Sequence, residues 1–288
     1  MKNCLALIVL ITFQPVFSQQ NYSYKKKQSN QKGAIYFFWG YNRSIYSKSD
    51  ISFSGPGYDF TVQDATAHDN PVRDFKTYVN PKTLSVPQFN IRLGYYYKEK
   101  YDISFGYDHM KYVMTDNQTA LLSGTIDQAA NSVLAGNYNN TPAVLSPPAI
   151  HYENSNGLNY VSLQVQHTNY FYRSKNRKHF LQYRFGLGLG GVVTQTDFVW
   201  NNTDNNTDLK ISGFGGSLHT GLRADFFNRF FLQTNWSVGY INLPNLQTIR
   251  LTENRVKQQF VYADMQVGGG FFLYKRVKDN CSTCPDWE

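Results

Sequence analysis

Between positions 213 and 226 every second residue is uncharged and mostly apolar or small: Phe214, Gly216, Leu218, Thr220, Leu222, Ala224 and Phe226. The positions between them hold Gly213, Gly215, Ser217, His219, Gly221, Arg223 and Asp225. Side chains alternate across the two faces of a strand, so this segment has one greasy face and one that carries charge. A strand crosses a bilayer in about ten tilted residues, and only a closed sheet leaves no unpaired backbone in lipid. The pattern therefore constrains the chain to an all-β, antiparallel, up-and-down transmembrane barrel.

The same alternation marks eight strand-like runs, at 34–47, 86–97, 101–114, 158–172, 179–200, 209–226, 229–243 and 255–275. Short connections (98–100, 173–178, 227–228) alternate with longer ones (46–85, 115–157, 201–208, 244–254). That rhythm belongs to a barrel with tight turns on one side of a membrane and long loops on the other. Length would also accommodate ten strands, and both counts stay open. The mean hydropathy of -0.47 reads as soluble, yet half of each spanning strand faces a polar interior and the loops are wet. The aromatic content of 16%, with 22 Tyr and 21 Phe, fits ring girdles at two interfaces.

Residues 1–18, with Lys2 ahead of an apolar stretch from Leu5 to Phe13 and Ser18 before Gln19, form a secretory signal pattern. A basic periplasmic lead is expected at 19–33, the barrel at 34–276, and a periplasmic tail at 277–288. The tail holds Cys281 and Cys284, expected to form a local disulfide in an oxidising compartment. No cofactor motif and no metal-ligand spacing stands out. The aspartates at 50, 59, 64, 69 and 74 do not follow an EF-hand.

In architecture the chain resembles the small outer-membrane β-barrel proteins of Gram-negative bacteria, the OmpA/OmpX-like group. The resemblance covers residues 34 to about 276 and rests on no diagnostic motif. It implies an outer-membrane address, reached through the signal peptide, and leaves the role open, because that group includes adhesins, lipid-modifying enzymes and assembly factors. Expected partners are outer-membrane lipid, lipopolysaccharide and other envelope proteins, with no nucleic acid. The pieces on the turn side (19–33, 98–100, 173–178, 227–229, 275–288) carry a net +10, against −6 for 48–84, 115–157, 200–209 and 244–254. A basic inner rim suits anionic headgroups.

Phase along each run predicts which polar groups point inward: Gln88, Asn90, Arg92, Asp102, Ser104, Asp108, Gln182, Arg184, Gln233, Asn235, Ser237, Tyr262, Asp264 and Gln266, together with Ser217, His219, Arg223 and Asp225. The charged members (Arg92, Arg184 and Arg223 with Asp102, Asp108, Asp225 and Asp264) nearly balance, so they are expected to plug the lumen as an ion-pair network. Ser217, His219 and Asp225 are the parts of an acyl-transfer site, but residues on one strand face seldom have nucleophile–base geometry. His109 and Lys111 fall on the outward phase, where they could meet lipopolysaccharide phosphates or snorkel toward headgroups. In the first loop, 50–53 and 58–62 alternate around Gly55-Pro56-Gly57, as an external hairpin that continues the wall would. The second loop reads as mobile, with Pro147-Pro148 as a rigid spacer.

The expected function is a non-enzymatic outer-membrane barrel with loops that bind a ligand, or an accessory subunit of an envelope complex. Three rivals remain: a lipid-modifying acyl hydrolase or transferase, a narrow transport pore, and a soluble lipocalin-type barrel with its apolar face inward.

Overall fold

The computed structural model describes residues 31–176 and 178–274. The signal pattern, most of the basic lead and the Cys281–Cys284 tail lie outside the described residues. The first strand, β1 (Ile35–Tyr46), is followed by β2 (Ser49–Gly55), β3 (Tyr58–Ala65), the two-residue β4 (Ala67–His68) and a short helix α1 (Phe75–Val79). Next come β5 (Phe89–Lys98), β6 (Tyr101–Met114), β7 (Gln118–Ile126), β8 (Gly136–Leu145) and β9 (Ile150–Arg173). The chain closes with β10 (His179–Trp200), β11 (Thr203–Asn206), β12 (Lys210–Phe226), β13 (Phe230–Gln247) and β14 (Arg255–Tyr274).

Eight of these strands pair antiparallel in the order β1-β5-β6-β9-β10-β12-β13-β14, and β1 pairs with β14 to shut the ring. Both counts considered above are thereby resolved to eight wall strands. The short connections behave as tight turns. Between β12 and β13, Phe227 and Asn228 take φ values of 54 and 58, and Arg229 N donates to Phe226 O at 3.0 Å. Positive φ at both central residues is the type I′ geometry that matches strand twist.

The loop side is more ordered than its composition implies. The hairpin β2–β3 continues the wall, with β2 pairing along the loop end of β14. Residues 115–157, expected to be mobile, instead supply β7 and β8, which add to the edge of β3, while 150–157 extend β9 upward. The Pro147-Pro148 bond is cis. Strand β8 ends this outer sheet; Pro142 lies within it, the register slips between Leu122 and Gly124, and Asn140 has φ 50.

Polarity is inverted relative to a soluble barrel. Outward positions such as Leu93, Phe105, Leu163, Leu187, Leu218, Leu232, Val238 and Val267 are exposed, whereas Arg92, Asp102, Arg184 and Arg223 are buried. Leu218 is 67% exposed and Arg223 1%. Packing inside depends on rings laid over glycine: Tyr36 lies across Gly94 in the β1–β5 pair, and Tyr262 across Gly239 in the β13–β14 pair. A Cβ on Gly94 would overlap the Tyr36 ring. Gly94→Ala is therefore expected to destabilise the barrel by about 1–3 kcal/mol, the range for overpacking a filled interior, measured by urea unfolding in lipid vesicles.

Candidate functional site

The interior is filled in two zones. Toward the turn end the filling is ionic and amide-rich. Arg184 Nη2 donates to Asp102 Oδ2 at 2.6 Å, and Tyr36 OH donates to Asp102 Oδ1 at 2.6 Å. The guanidinium also reaches Gln233 Oε1 at 2.8 Å. Arg92 grips Asp108 in a fork, Nη2 to Oδ1 at 2.6 Å and to Oδ2 at 2.8 Å, and Asn90 donates to the same carboxylate. Burying such charges is tolerable because each is paired and hydrogen-bonded.

Arg92–Asp108 and Arg184–Asp102 are ion pairs, and hydrogen bonds through Gln233, Asn235 and Gln266 connect Arg184 with Arg223 and Asp264. Arg223 is held by neutral groups: its Nε donates to Gln233 Oε1 at 2.6 Å and its Nη1 to the Tyr96 hydroxyl at 3.1 Å. The faces of Tyr36 and Phe231 lie 4.6 and 3.8 Å from its guanidinium carbon. Asp264 accepts from Ser44 and Ser237, and from Gln266 Nε2 at 2.7 Å. Asp225 accepts from Gln182 Nε2 at 2.5 Å and from Gln31. The neutral partners Tyr36, Tyr96 and Gln233 escape a search for charges. Their signal is phase, since Tyr36 alternates inward with Phe38 while Ile35, Phe37 and Trp39 point out.

Ser217 and His219 are closer than strand geometry led us to expect. Ser217 Oγ and His219 Nε2 lie 2.8 Å apart, inside the lumen, with the Tyr160 hydroxyl 3.4 Å from Ser217. The arrangement stops at a pair. Asp225 is six residues further along β12, about 20 Å at strand rise, and bonds elsewhere. Both residues are buried, with the Ser217 hydroxyl turned to His219 and Tyr160.

Toward the loop end the filling turns aromatic. Phe53 stacks on Phe60 and on Phe198, and Trp200 stacks on Phe60 and on Phe198, with centroids 5.2–5.8 Å apart. Tyr58, Tyr112, Tyr152 and Phe260 complete this buried cap. The cap lies on the loop side of the ionic zone. Of the outward pair at 109 and 111, His109 is covered rather than presented: it packs 5.4 Å from the Phe89 ring and shares a hydrogen bond with Asn159 Oδ1 at 2.8 Å.

Outside the cap, His151 on β9 ties the wall to the outer hairpin. Its Nδ1 lies 2.7 Å from Asp116 Oδ1, just before β7, and its Nε2 lies 3.6 Å from Glu153 Oε2. The two flanking carboxylates, Glu153 foremost, raise its pKa from 6.5 to about 9. Among the described residues no group of three or more His, Cys, Asp or Glu could hold a metal ion.

No protein-family model matches the chain, and no curated protein matches it in sequence. Solved outer-membrane proteins align along most of its length. The crystal structure of OprG from Pseudomonas aeruginosa aligns at 12% identity and TM-score 0.39, covering 86% of this chain and 100% of that one. The solid-state NMR structure of AlkL in lipid bilayers gives the same identity and score over 90% and 97%. Ail of Yersinia pestis aligns at 10% identity and TM-score 0.28, over 82% and 99%. With identities and scores this low, the fold of the chain rests on the strand pairing described above.

Two outcomes are expected. Arg223→Ala removes a buried charge with its hydrogen bonds and should cost about 3 kcal/mol, visible as a lower Tm of the detergent-folded barrel, while the outward Leu222→Ala shifts Tm far less. The His151 clamp has a folded pKa above its unfolded value, so its stabilisation is complete below pH about 6.5 and fades as pH rises through about 9. The Tm gap between wild type and His151→Gln should be full at pH 6 and nearly closed at pH 10.

Proposed function

We propose that the protein is a non-enzymatic outer-membrane β-barrel with a plugged lumen. Its external sheet would be the working part, as a binding surface or as an accessory subunit of an envelope complex. One observation carries this reading: the closed ring wears a belt of apolar side chains outside and buries Arg92, Asp102, Asp108, Arg184 and Arg223 inside. In water that arrangement would leave a broad apolar belt wet and place charges where they cost most. In a bilayer the same belt meets acyl chains, and the closed sheet leaves no backbone unpaired. The ion pairs and aromatic cap favour a plug over a conducting lumen. The hairpins β2–β3 and β7–β8 offer the largest surface beyond the belt, on a rigid base suited to recognition.

The acyl-transfer reading keeps one observation in its favour, the 2.8 Å contact between Ser217 and His219. It lacks a carboxylate behind the imidazole.

Fractionation tests the main proposal first. The full chain should band with dense outer membranes and migrate faster on gels when unheated; recovery in soluble fractions would return the lipocalin reading. Planar bilayers should stay silent at high protein load, and discrete conductance steps would restore the pore. Envelope lipid composition should be unchanged by Ser217→Ala, an altered profile being the mark of an enzyme.

A further inference from the structure

The outer face of the wall carries a polar cleft where β1 passes into β2. Both strands pair with β14, but the register slips by one residue between Tyr46↔Tyr262 and Ile51↔Gln258. At the slip, Ser47 N donates to Val261 O at 2.9 Å and Val261 N donates to Ser47 Oγ at 3.0 Å. A bulge of this kind re-aims side chains out of the regular alternation. Here it opens a cavity of about 500 Å³ lined by Lys48, Asp50, Asp64, Lys257, Gln258 and Gln259 among others. Asp64, held at φ 51, donates its backbone N–H to Asp50 Oδ1 at 3.0 Å, which braces one side. Gln258 Nε2 donates to Ser49 Oγ at 3.0 Å and to the Tyr112 hydroxyl at 2.6 Å, which fixes the floor. Among the described residues neither Lys48 nor Lys257 forms an ion pair.

The cleft begins where the apolar belt ends. Val261 and Tyr240 are the last outward apolar side chains on their strands at this level, and the Tyr240 hydroxyl donates to Gln259 Oε1 at 2.6 Å. Those same two residues border an apolar groove of about 450 Å³ in the wall, with Leu187, Leu189, Leu218 and Val238. The groove exists because Gly216 presents no side chain outward: a Cβ there would meet only Leu189 Cδ2 at 3.2 Å and the Gly188 oxygen at 3.8 Å. A polar cleft above and an apolar groove beside it meet at the Tyr240–Gln259 hydrogen bond.

We infer that cleft and groove together bind a phosphorylated glycolipid, its sugar-phosphate headgroup between Lys48 and Lys257 and an acyl chain over Gly216. This rests on the membrane reading above and gives it a ligand. The two ammonium groups suit phosphate. Asp50, Asp64 and the glutamine amides suit the hydroxyls or amine of a hexosamine, and the carboxylates would repel a headgroup that is anion alone. The cavity volume also exceeds what a small phosphodiester headgroup fills.

The test uses the full chain folded in detergent and titrated with bis-phosphorylated, hexa-acylated lipid A, retained lipid being read by native mass spectrometry. Lys48→Gln combined with Lys257→Gln, both exposed positions, should weaken retention about tenfold, the combined loss of two solvent-screened charge contacts. Dephosphorylated lipid A should bind wild type and the double variant equally weakly. Gly216→Leu, whose Cβ would meet the flexible end of Leu189 at 3.2 Å and no backbone atom closer than 3.8 Å, should also weaken lipid A while leaving gel mobility of the folded form unchanged. Equal retention by wild type and the lysine variant overturns the inference. So does an equal loss with phosphatidylglycerol, which would make the lysines a general anionic contact. Failure of the membrane reading would appear separately, as soluble protein in fractionation.

Discussion

The ladder between β1 and β14 is the constraint on which the rest of the molecule depends. Ile35 through Tyr46 pair with Tyr274 back to Tyr262, joining the first described strand to the last. Without that seam both edges would carry rows of unpaired amides and carbonyls, each costing several kcal/mol in hydrocarbon by rough estimate. With it, every wall strand has two neighbours and the interior is ringed by a continuous wall. The seam joins segments more than 200 residues apart, so the ring is complete only when β14 is in place.

The ringed interior must then be filled, and the two ends solve this differently. At the turn end Arg184 pairs with Asp102, and Tyr36, Tyr96 and Gln233 hold that pair and Arg223 by hydrogen bonds. A charged interior of this type fixes geometry, because moving one partner strands the other. At the loop end stacked rings do the filling, drawn from β3, β10 and β2 above the belt. Hydrophobic burial there holds the outer hairpins to the wall, so the external sheet is continuous with the barrel.

Much of this was legible in the sequence. The wall strands at 101–114 and 179–200 follow from alternation alone, and so does the outward phase of Leu218 and Leu222 against Arg223. The failures have a common physical origin in pairing between distant segments. Residues 118–126 and 136–145 look like loop because Asn, Thr, Ser, Gly and Pro dominate locally, yet the free edge of β3 gives them a ladder to join. The stretch 150–157 reads as polar loop because its apolar members, Ile150 and Tyr152, find a core only once the cap is assembled. At Lys48 a one-residue slip breaks the alternation on which every phase assignment relies, so the cleft is invisible to a periodicity search.

The outermost strand, β8, has a consequence for how such molecules would share a crowded surface. A bare strand at the rim of a sheet is a template on which neighbouring copies can zip together, and molecules confined to two dimensions meet often. Pro142 has no amide hydrogen to offer along that rim, and the left-handed residue at Asn140 kinks the strand beside it. The sheet can therefore project from the barrel without recruiting its neighbours into a continuous lattice.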